Sequence, residues 1–494
     1  MRRAWYFLFL VAYFLLSSQQ ISFRKSPDFG RLLRDGELIL AGQTAVLHQN
    51  FYSYTYPATE FPNHHWLAAV LSYGTSKAAG LECLNLVWIG MGAAAFLLYL
   101  RIAERAAGQP TAAAFGAALM PLAIVRSGIR PEVFSMLLVA VFFTVLWNVY
   151  HRILAAGWLW TLPALELFWV NVHPGFALGP VLIGTFLATE LVMLQKTGSF
   201  AGDWKLPTLA AVLGLTILAG LANPNGVRGL LFPLTVSSNY AMDVQENLSV
   251  FKLQDTAIAQ IMEIAALVLV CFWVVAYRRH VRRDWPLLLL SLAFSAMSLI
   301  FYRIYVFTGG LILVAICTNI GLFRASKSKT AKSSTTGLWW VWAAAALAIL
   351  GFVSTRWNNS GLGLEPGDDS LAQFLRTNHI AGKVFNGYGS GGYLIHYLPD
   401  QKLYIDSRPE AYPAAFVLED YMRPLVDEDA WRRIVQVYDF DFICFAQFNQ
   451  QEGEFIVRRL QDPDWAAIRA ESDIVLVRRK PQFEDVIATH KLRF

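Results

Sequence analysis

Apolar residues along this chain gather into runs of about 20, the length needed to cross a bilayer, separated by short polar stretches. The runs fall near 4–21, 82–101, 110–126, 133–150, 157–172, 176–195, 206–222, 258–277, 285–302, 304–323 and 337–355. This pattern predicts about eleven membrane-spanning helices. Lysine and arginine concentrate in alternate loops: Arg2 and Arg3; Arg101 and Arg105; Arg152; Lys196 and Lys205; Arg278, Arg279, Arg282 and Arg283; and Arg324, Lys327, Lys329 and Lys332. A cytoplasmic N-terminus puts all of these on the inside. An odd number of crossings then places everything after Arg356 outside. The short fifth run, 157–172, carries that parity, and its loss would invert the map.

Beyond Asn358 the texture changes. Gly, Asn and Asp punctuate short β-rich runs, "GKVFNGY", "KLYID", "FDFICF" and "DIVLV", with helical stretches near 369–377, 413–421 and 428–437 between them. Strands alternating with helices predict a small α/β domain. The expected organisation is therefore a polytopic all-α membrane domain over 1–356 with an amphipathic outer loop at 22–81, an extracytoplasmic α/β domain at 357–480 and a loose tail at 481–494.

Composition agrees with this picture. Of 494 residues 55% are hydrophobic and only 16% charged, too apolar for a soluble protein of this length. The formal net charge of +5 lies in the orienting loops, so it carries no call for nucleic acid. The four cysteines show no CxxC or Cys/His spacing, which predicts neither disulfide nor structural zinc. The first run follows Arg2 and Arg3 as a secretory signal would, but "SSQQ" lacks a small-residue cleavage pattern, which favours an uncleaved anchor.

Directly after that anchor comes "SPDFGRLLRDGELILAG" (26–42). Ser26 suits an N-cap and Pro27 the first helical position. Phe29, Leu32, Leu33, Gly36 and Leu40 then share one helical face, while Asp28, Arg31 and Asp35 share another. This predicts an amphipathic helix on the outer surface, its charges turned to water or to a lined cavity. The same topology sends "HQNFYSY" (48–54), "EFPNHHW" (60–66), "RSGIRPE" (126–132), "NVHPG" (171–175), "NPNG" (223–226), "DVQEN" (243–247) and Arg303 to that side. Singly, each has a plain structural reading: prolines end helices, His64 and His65 suit an interface, and Arg303 suits a snorkelling anchor. Together they deliver carboxylates, arginines, histidines and amides to one membrane surface, as an external active site over a helical bundle requires.

The ordered motifs "PDFGRLLRDGELIL", "FYSYTYP", "HHWLAAVL", "IRPEVFS", "FWVNVHPGF", "NPNGVRGLLFP" and "VFNGYGSGGYLIHYLPDQKLYIDSRPEAYP" cover most of the chain. With them the sequence resembles a group of bacterial polytopic membrane proteins related to the GT-C glycosyltransferase superfamily, whose members move sugars from polyprenyl-phosphate carriers to acceptors on the outer face. The resemblance implies a lipid-linked sugar donor, membrane lipid and an envelope acceptor as partners, and the inner membrane as location. The sequence departs from the group at "DFGR", where others carry aromatic residues and a His, and at the less basic "FYRIYV" around Arg303. Asp28 has no D-x-D or E-x-D companion, so the resemblance implies no metal site, and a divalent metal stays open.

A polyprenyl-phosphate sugar carries a good leaving group, so the enzyme's tasks are to accept the acceptor's proton and to neutralise phosphate. Asp28, at a helix N-terminus that favours its anion, is the expected general base. Arg126, Arg130 and Arg303 suit phosphate, because a guanidinium fork matches its oxygens. Glu132, His64, His65, His173 and Asn223 suit sugar hydroxyls. Direct displacement would invert the anomeric centre. In the C-terminal part, "NGYGSGGY" does not fit G-x-G-x-x-G and reads as a tight loop. "YIDSRPEAYP" sets Asp406, Ser407, Arg408 and Glu410 after an expected strand, where α/β folds place binding groups, and Asp406 and Arg408 are acceptor-side candidates. Two other classes remain: a transporter or flippase of lipid-linked sugars, and a non-catalytic scaffold for envelope glycans.

Overall fold

A computed structural model describes residues 2–124, 128–197, 206–235, 249–252, 284–327, 339–356 and 359–492. In chain order its helices are α1 (Arg2–Ser17), α2 (Phe29–Leu40), α3 (Trp66–Ala107), α4 (Gln109–Ile124), α5 (Glu132–Tyr150), α6 (Thr161–Val172), α7 (Leu178–Thr197), α8 (Leu206–Ala219), α9 (Gly226–Thr235), α10 (Trp285–Ile300), α11 (Tyr305–Lys327), α12 (Trp339–Arg356), α13 (Ser370–Thr377), α14 (Gly391–Tyr397), α15 (Glu428–Tyr438), α16 (Gln450–Leu460) and α17 (Glu484–His490). The strands are β1 (Val384–Asn386), β2 (Phe442–Phe445), β3 (Trp465–Ala470) and β4 (Ile474–Arg478). The chain divides into two compact units, one of Met1–Gln19, Asn85–Asn223 and Asp243–Leu362, the other of Gln20–Leu84, Pro224–Met242 and Gly363–Phe494.

The first is a helical membrane unit. Each expected span except 258–277, which lies outside the described residues, falls on a helix. Among the described residues four helical segments, Trp66–Ala107, Glu132–Tyr150, Pro174–Lys196 and Tyr305–Arg324, are long and apolar enough to cross a bilayer, and the chain is a multi-pass membrane protein. The fifth expected span is shorter than its apolar run. A 3-10 turn over Ala156–Trp160 precedes the 12-residue α6, which at 1.5 Å per residue is about 18 Å long, well under the ~30 Å of a hydrocarbon core.

Helix α4 packs on α11 and α12, and α8 on α6 and α7. Small residues allow these approaches, as expected where apolar helices gain little from leaving lipid. A Cβ on Gly309 of α11 would stand 3.3 Å from the Leu122 Cβ of α4, and one on Gly321 of α11 would stand 2.0 Å from the Ala106 carbonyl oxygen of α3. Phe9, Tyr13, Phe96, Leu100, Met120 and Leu313 fill one core here, while Phe7, Leu8, Leu218 and Leu347 point outward, the inverse of a soluble exterior.

The second unit is built round a four-stranded sheet of order β1-β2-β4-β3. β1 pairs with β2 in parallel, and β4 runs antiparallel to both β2 and β3. Every residue of β2 is buried, so its "FICF" reads as a continuous apolar run rather than an alternation. The Phe385 ring lies among Trp431, Phe440 and Phe455 at centroid distances of 5.1–5.4 Å. Two expectations are corrected here, and a third takes an unexpected form. "KLYID" forms no regular strand; Leu403 instead exchanges backbone bonds of 3.0 Å with Tyr52 and Tyr54 of the outer loop. The helical stretch expected near 413–421 is present, as a π-helical turn over Phe416–Met422. The end of the chain forms a 3-10 turn and α17, and Leu492 N–H donates to the Ala467 carbonyl at 2.9 Å.

Candidate functional site

The candidate site lies in the second unit and begins with a contact between two backbones. A Cβ on Gly30 of α2 would stand 2.2 Å from the Gly392 carbonyl oxygen, and one on Gly392 of α14 would stand 1.8 Å from the Pro27 carbonyl oxygen. Glycine at both places lets the helices touch without side chains between them. This is the role of the "GSGGY" glycines. The expected tight loop is a 3-10 turn over Tyr388–Ser390 that leads into α14. Gly391 meets the Asp406 Cα in the same way, at 2.6 Å, which draws the "YIDSRPEAYP" segment onto the start of α2.

At that start Asp28 occupies the position before the first helical residue, in place of the expected Ser26, and its side chain makes no cap bond. The Ser407 hydroxyl donates to Asp28 Oδ1 at 2.6 Å, in preference to the Pro27 carbonyl at 3.2 Å, since a hydroxyl has one hydrogen and the carboxylate is the stronger acceptor. Arg31 Nη2 lies 3.6 Å from the same oxygen. Asp28 Oδ2 has no hydrogen-bond donor among the described residues, and the side chain is 54% exposed.

Behind this exposed acid the charges are buried. Arg31 Nη1 donates to Asp35 Oδ2 at 2.9 Å, while the Tyr52 hydroxyl and Asn63 Nδ2 donate to the Asp35 carboxylate at 2.5 Å and 3.1 Å. Arg408 grips Asp406 with two bonds, Nε to Oδ1 at 2.8 Å and Nη2 to Oδ2 at 2.6 Å, and Nη2 also reaches Asn50 Oδ1 at 2.8 Å. The Tyr412 hydroxyl donates to Asp406 Oδ2 at 3.2 Å, and the guanidinium lies over the Phe61 ring at 4.7 Å. Asp35 and Asp406 are wholly buried. Of the two surroundings expected for the polar side of α2, water or a polar-lined interior, Arg31 and Asp35 take the second.

These surroundings set the titration of each group. Burial raises the Asp35 carboxyl against the opposing charges of Arg31 and Arg408. For Asp406 burial acts the same way but Arg408 outweighs it, so that carboxyl is held below its ordinary value. Burial works against the Arg408 charge too, yet Asp406 drives its net shift upward. The Glu410 carboxyl is pushed up to about 7, by burial first and by Asp28 as well, against the pull of Arg31 and Arg408. Glu410 Oε2, Arg31 Nε and Arg408 Nη1 are buried without a partner among the described residues.

Of the residues singled out in the sequence, this unit gathers Asp28, Asp406 and Arg408 through Ser407. His64 and His65 stand side by side at a centroid distance of 4.1 Å before α3, and His64 stacks on Phe232 at 4.1 Å. Arg130, Glu132, His173, Asn223 and Arg303 belong to the membrane unit, and Arg126 lies outside the described residues. Within the membrane unit Glu132 is buried in the first turn of α5. His173 Nδ1 accepts from Gly175 N–H at 2.9 Å and stands 2.7 Å from the Ser135 hydroxyl, which itself accepts from Trp169 Nε1 at 2.7 Å. An acceptor at Nδ1 puts the ring proton on Nε2. Asn223 Nδ2 donates to the Gly220 carbonyl at 2.9 Å, and Arg303 sits half-buried in a 3-10 turn.

Tyr52, Asn63 and Asn50 carry no signal in the sequence beyond polar residues in an outer loop. Arg31 and Asp35 did show one, their i,i+4 spacing. Among the described residues no three His, Cys, Asp or Glu side chains gather closely enough to hold a metal ion.

The chain shares its fold with solved membrane structures. ArnT from Cupriavidus metallidurans bound to undecaprenyl phosphate matches with a TM-score of 0.56 at 12% identity, over 97% of this chain and 98% of that one. The same protein in the apo state gives 0.55 at 13% identity, over 99% and 98%. An oligosaccharyltransferase from Archaeoglobus fulgidus, in complex with Zn and sulfate, gives 0.53 at 12% identity, over 89% of this chain and 67% of that one. The fold shared with them is a helical membrane bundle with a small C-terminal mixed sheet. No protein-family model matches the sequence, and no curated protein matches it.

Proposed function

We propose that this protein is an inverting membrane glycosyltransferase, taking a sugar from a polyprenyl-phosphate carrier to an envelope acceptor on the outer face of the inner membrane. The observation that carries the reading is Asp28. It is an exposed carboxylate at the start of a helix, excused from capping, fixed through Oδ1 by Ser407 and Arg31, with Oδ2 open to a proton donor. The shared GT-C fold, one member of which was solved with undecaprenyl phosphate, supports the donor class.

In the step we assign, Asp28 Oδ2 accepts the proton of the acceptor hydroxyl. The acceptor's own oxygen forms the new bond to the anomeric carbon as the bond from that carbon to the phosphate oxygen breaks. The phosphate departs with the electron pair, the anomeric centre inverts, and polyprenyl phosphate is released. From residue type alone, the candidates for the phosphate are Arg126, Arg130 and Arg303, and those for sugar hydroxyls are Glu132, His64, His65, His173 and Asn223. Asp406 and Arg408 act on the acceptor side by holding Ser407 against Asp28.

Asp28→Asn tests the reading, because it keeps the shape and removes the base. Purified protein in nanodiscs is supplied with undecaprenyl phosphate carrying a labelled pentose or hexose and with an envelope extract as acceptor. Transfer should fall by about 10²–10⁴-fold while binding of undecaprenyl phosphate is kept. Transfer at the wild-type rate overturns the assignment of the base. Movement of the carrier across the membrane without transfer, in the wild-type protein, replaces the whole reading with a flippase.

A further inference from the structure

A second concavity in the same unit has no part in the chemistry above. It opens at the carboxyl ends of the parallel pair β1 and β2, where Tyr388 follows one strand and Gln447, Phe448 and Asn449 follow the other, with Tyr421 on its wall. Crevices at this position are where open α/β sheets place ligands. Its volume of about 280 Å³ lies at the low end for small-molecule sites, enough for a single ring rather than an extended ligand.

The lining states what that ring is. No Lys, Arg or His contributes, so no cationic side chain there recognises a phosphate or a carboxylate. Glu452 is the one acid, and both its oxygens are taken, Oε1 by the Tyr421 hydroxyl and Oε2 by Asn449 N–H, each at 2.9 Å. That leaves no carboxylate for a cation. What remains is aromatic surface and amide. Phe448 is a large apolar side chain left 44% exposed, and Gln451 makes no side-chain hydrogen bond among the described residues. Asn449 uses its Oδ1 to cap α16, which leaves its Nδ2 hydrogens. Amides offer a donor and an acceptor on one group, the pairing that a hydroxyl needs. An aromatic face takes the C–H side of a saturated ring by dispersion and apolar burial.

We infer that this pocket binds a neutral monosaccharide unit, with Phe448 as its platform and Gln451 and Asn449 as its hydroxyl readers. The site is tied to Asp28 by two bonds: the Tyr388 hydroxyl donates to the Ser407 carbonyl at 2.8 Å, and the Ser407 hydroxyl to Asp28 at 2.6 Å. Binding stands without the transferase reading, and deepens it by supplying an anchor for a glycan beside the assigned base.

The test is saturation-transfer NMR on the full-length protein in nanodiscs. The probes are methyl glycosides of glucose, galactose, mannose, N-acetylglucosamine and arabinose, with glucose 6-phosphate as the charged comparison. At least one neutral glycoside should give a saturable signal. It should weaken about tenfold or more in Phe448→Ala and in Gln451→Ala, roughly 1.4 kcal/mol, with thermal unfolding unchanged, and persist in Asp28→Asn. Absence of a saturable signal from every glycoside overturns the inference. So does a signal that Phe448→Ala leaves intact, one that Asp28→Asn abolishes, or equal binding of the phosphate ester. Loss of transfer in Asp28→Asn with this binding retained separates the two proposals.

Discussion

Two titrating groups in the second unit pull stability in opposite directions with pH, and single substitutions should separate them. His396 of α14 stacks on Phe23 at 3.9 Å and is pushed from 6.5 down to about 4, by burial first and then by Arg34 and Arg376, against Asp368 and Glu37. A group held below its unfolded value contributes stability that is present above that value and lost as pH falls toward the folded one. At about 1.4 kcal/mol per pH unit, His396 removes roughly 3 kcal/mol between pH 6.5 and about 4. Glu410 is the converse, raised from 4.5 to about 7, so its contribution is full below pH 4.5 and is lost as pH rises toward 7, again by roughly 3 kcal/mol. Between pH 4.5 and 6.5 the two slopes oppose. The assay is thermal unfolding of His396→Gln, Glu410→Gln and the double variant in detergent from pH 4 to 8, each referred to wild type so that other groups cancel. His396→Gln should gain on wild type as pH falls through its window, and Glu410→Gln should gain as pH rises through its own. Each gain is about 6–12 °C at ~2–4 °C per kcal/mol for a unit of this size, and the double variant should show both. Difference curves flat within 2 °C of zero slope, at about that same conversion, would refute the burial argument for that residue.

Three further outcomes follow from the same unit. Arg408→Met strands the wholly buried Asp406 carboxylate and deprives Asn50 of a donor. It should cost about 3–5 kcal/mol, and Asp406→Leu with Arg408→Met should restore most of it; thermal unfolding of the two variants decides. Gly392→Ala places a methyl 1.8 Å from the Pro27 carbonyl. It should lower stability by roughly 1–3 kcal/mol or more and also reduce transfer, whereas Gly74→Ala, with open space around it, should be neutral or slightly stabilising. Ser407→Ala removes one bond to Asp28 and leaves the Arg408 grip on Asp406 intact. It should reduce turnover about tenfold with unfolding little changed, and an unchanged turnover would deny Ser407 its positioning role.

Much of the fold can be read along the chain because its information is local. Membrane helices follow from run length, α2 from the three-four spacing of Phe29, Leu32, Leu33 and Gly36, and β2 and β4 from compact apolar runs. Misses occur where partners are remote. "WAAIRA" of β3 has a single β-branched residue and is a strand only because β4 pairs with it. "KLYID" looks more like a strand, yet only Leu403 pairs, with the outer loop. The helical glycine pattern of "GSGGY" resembles turn chemistry until the start of α2 is laid against it. In the site, Asp28 and the "DSRPE" segment are each visible from residue type and position. That Arg31 and Asp35 turn inward is not, because their burial depends on Tyr52, Asn63 and Arg408, the last hundreds of positions downstream.

The interlock of Gly30 with Gly392 has a consequence for how the protein is made. Ribosomes deliver Asp28 and its helix early, but the backbone that helix rests on, and the arginine and aspartate behind it, emerge only with the final third of the polypeptide. Until then that segment has no surface to close upon, and its ionised side chains stay hydrated. Long-range closures of this kind are slow and leave incomplete chains exposed. A nonsense truncation ahead of residue 391 therefore removes the backbone on which the start of α2 rests, about 360 positions away in the sequence.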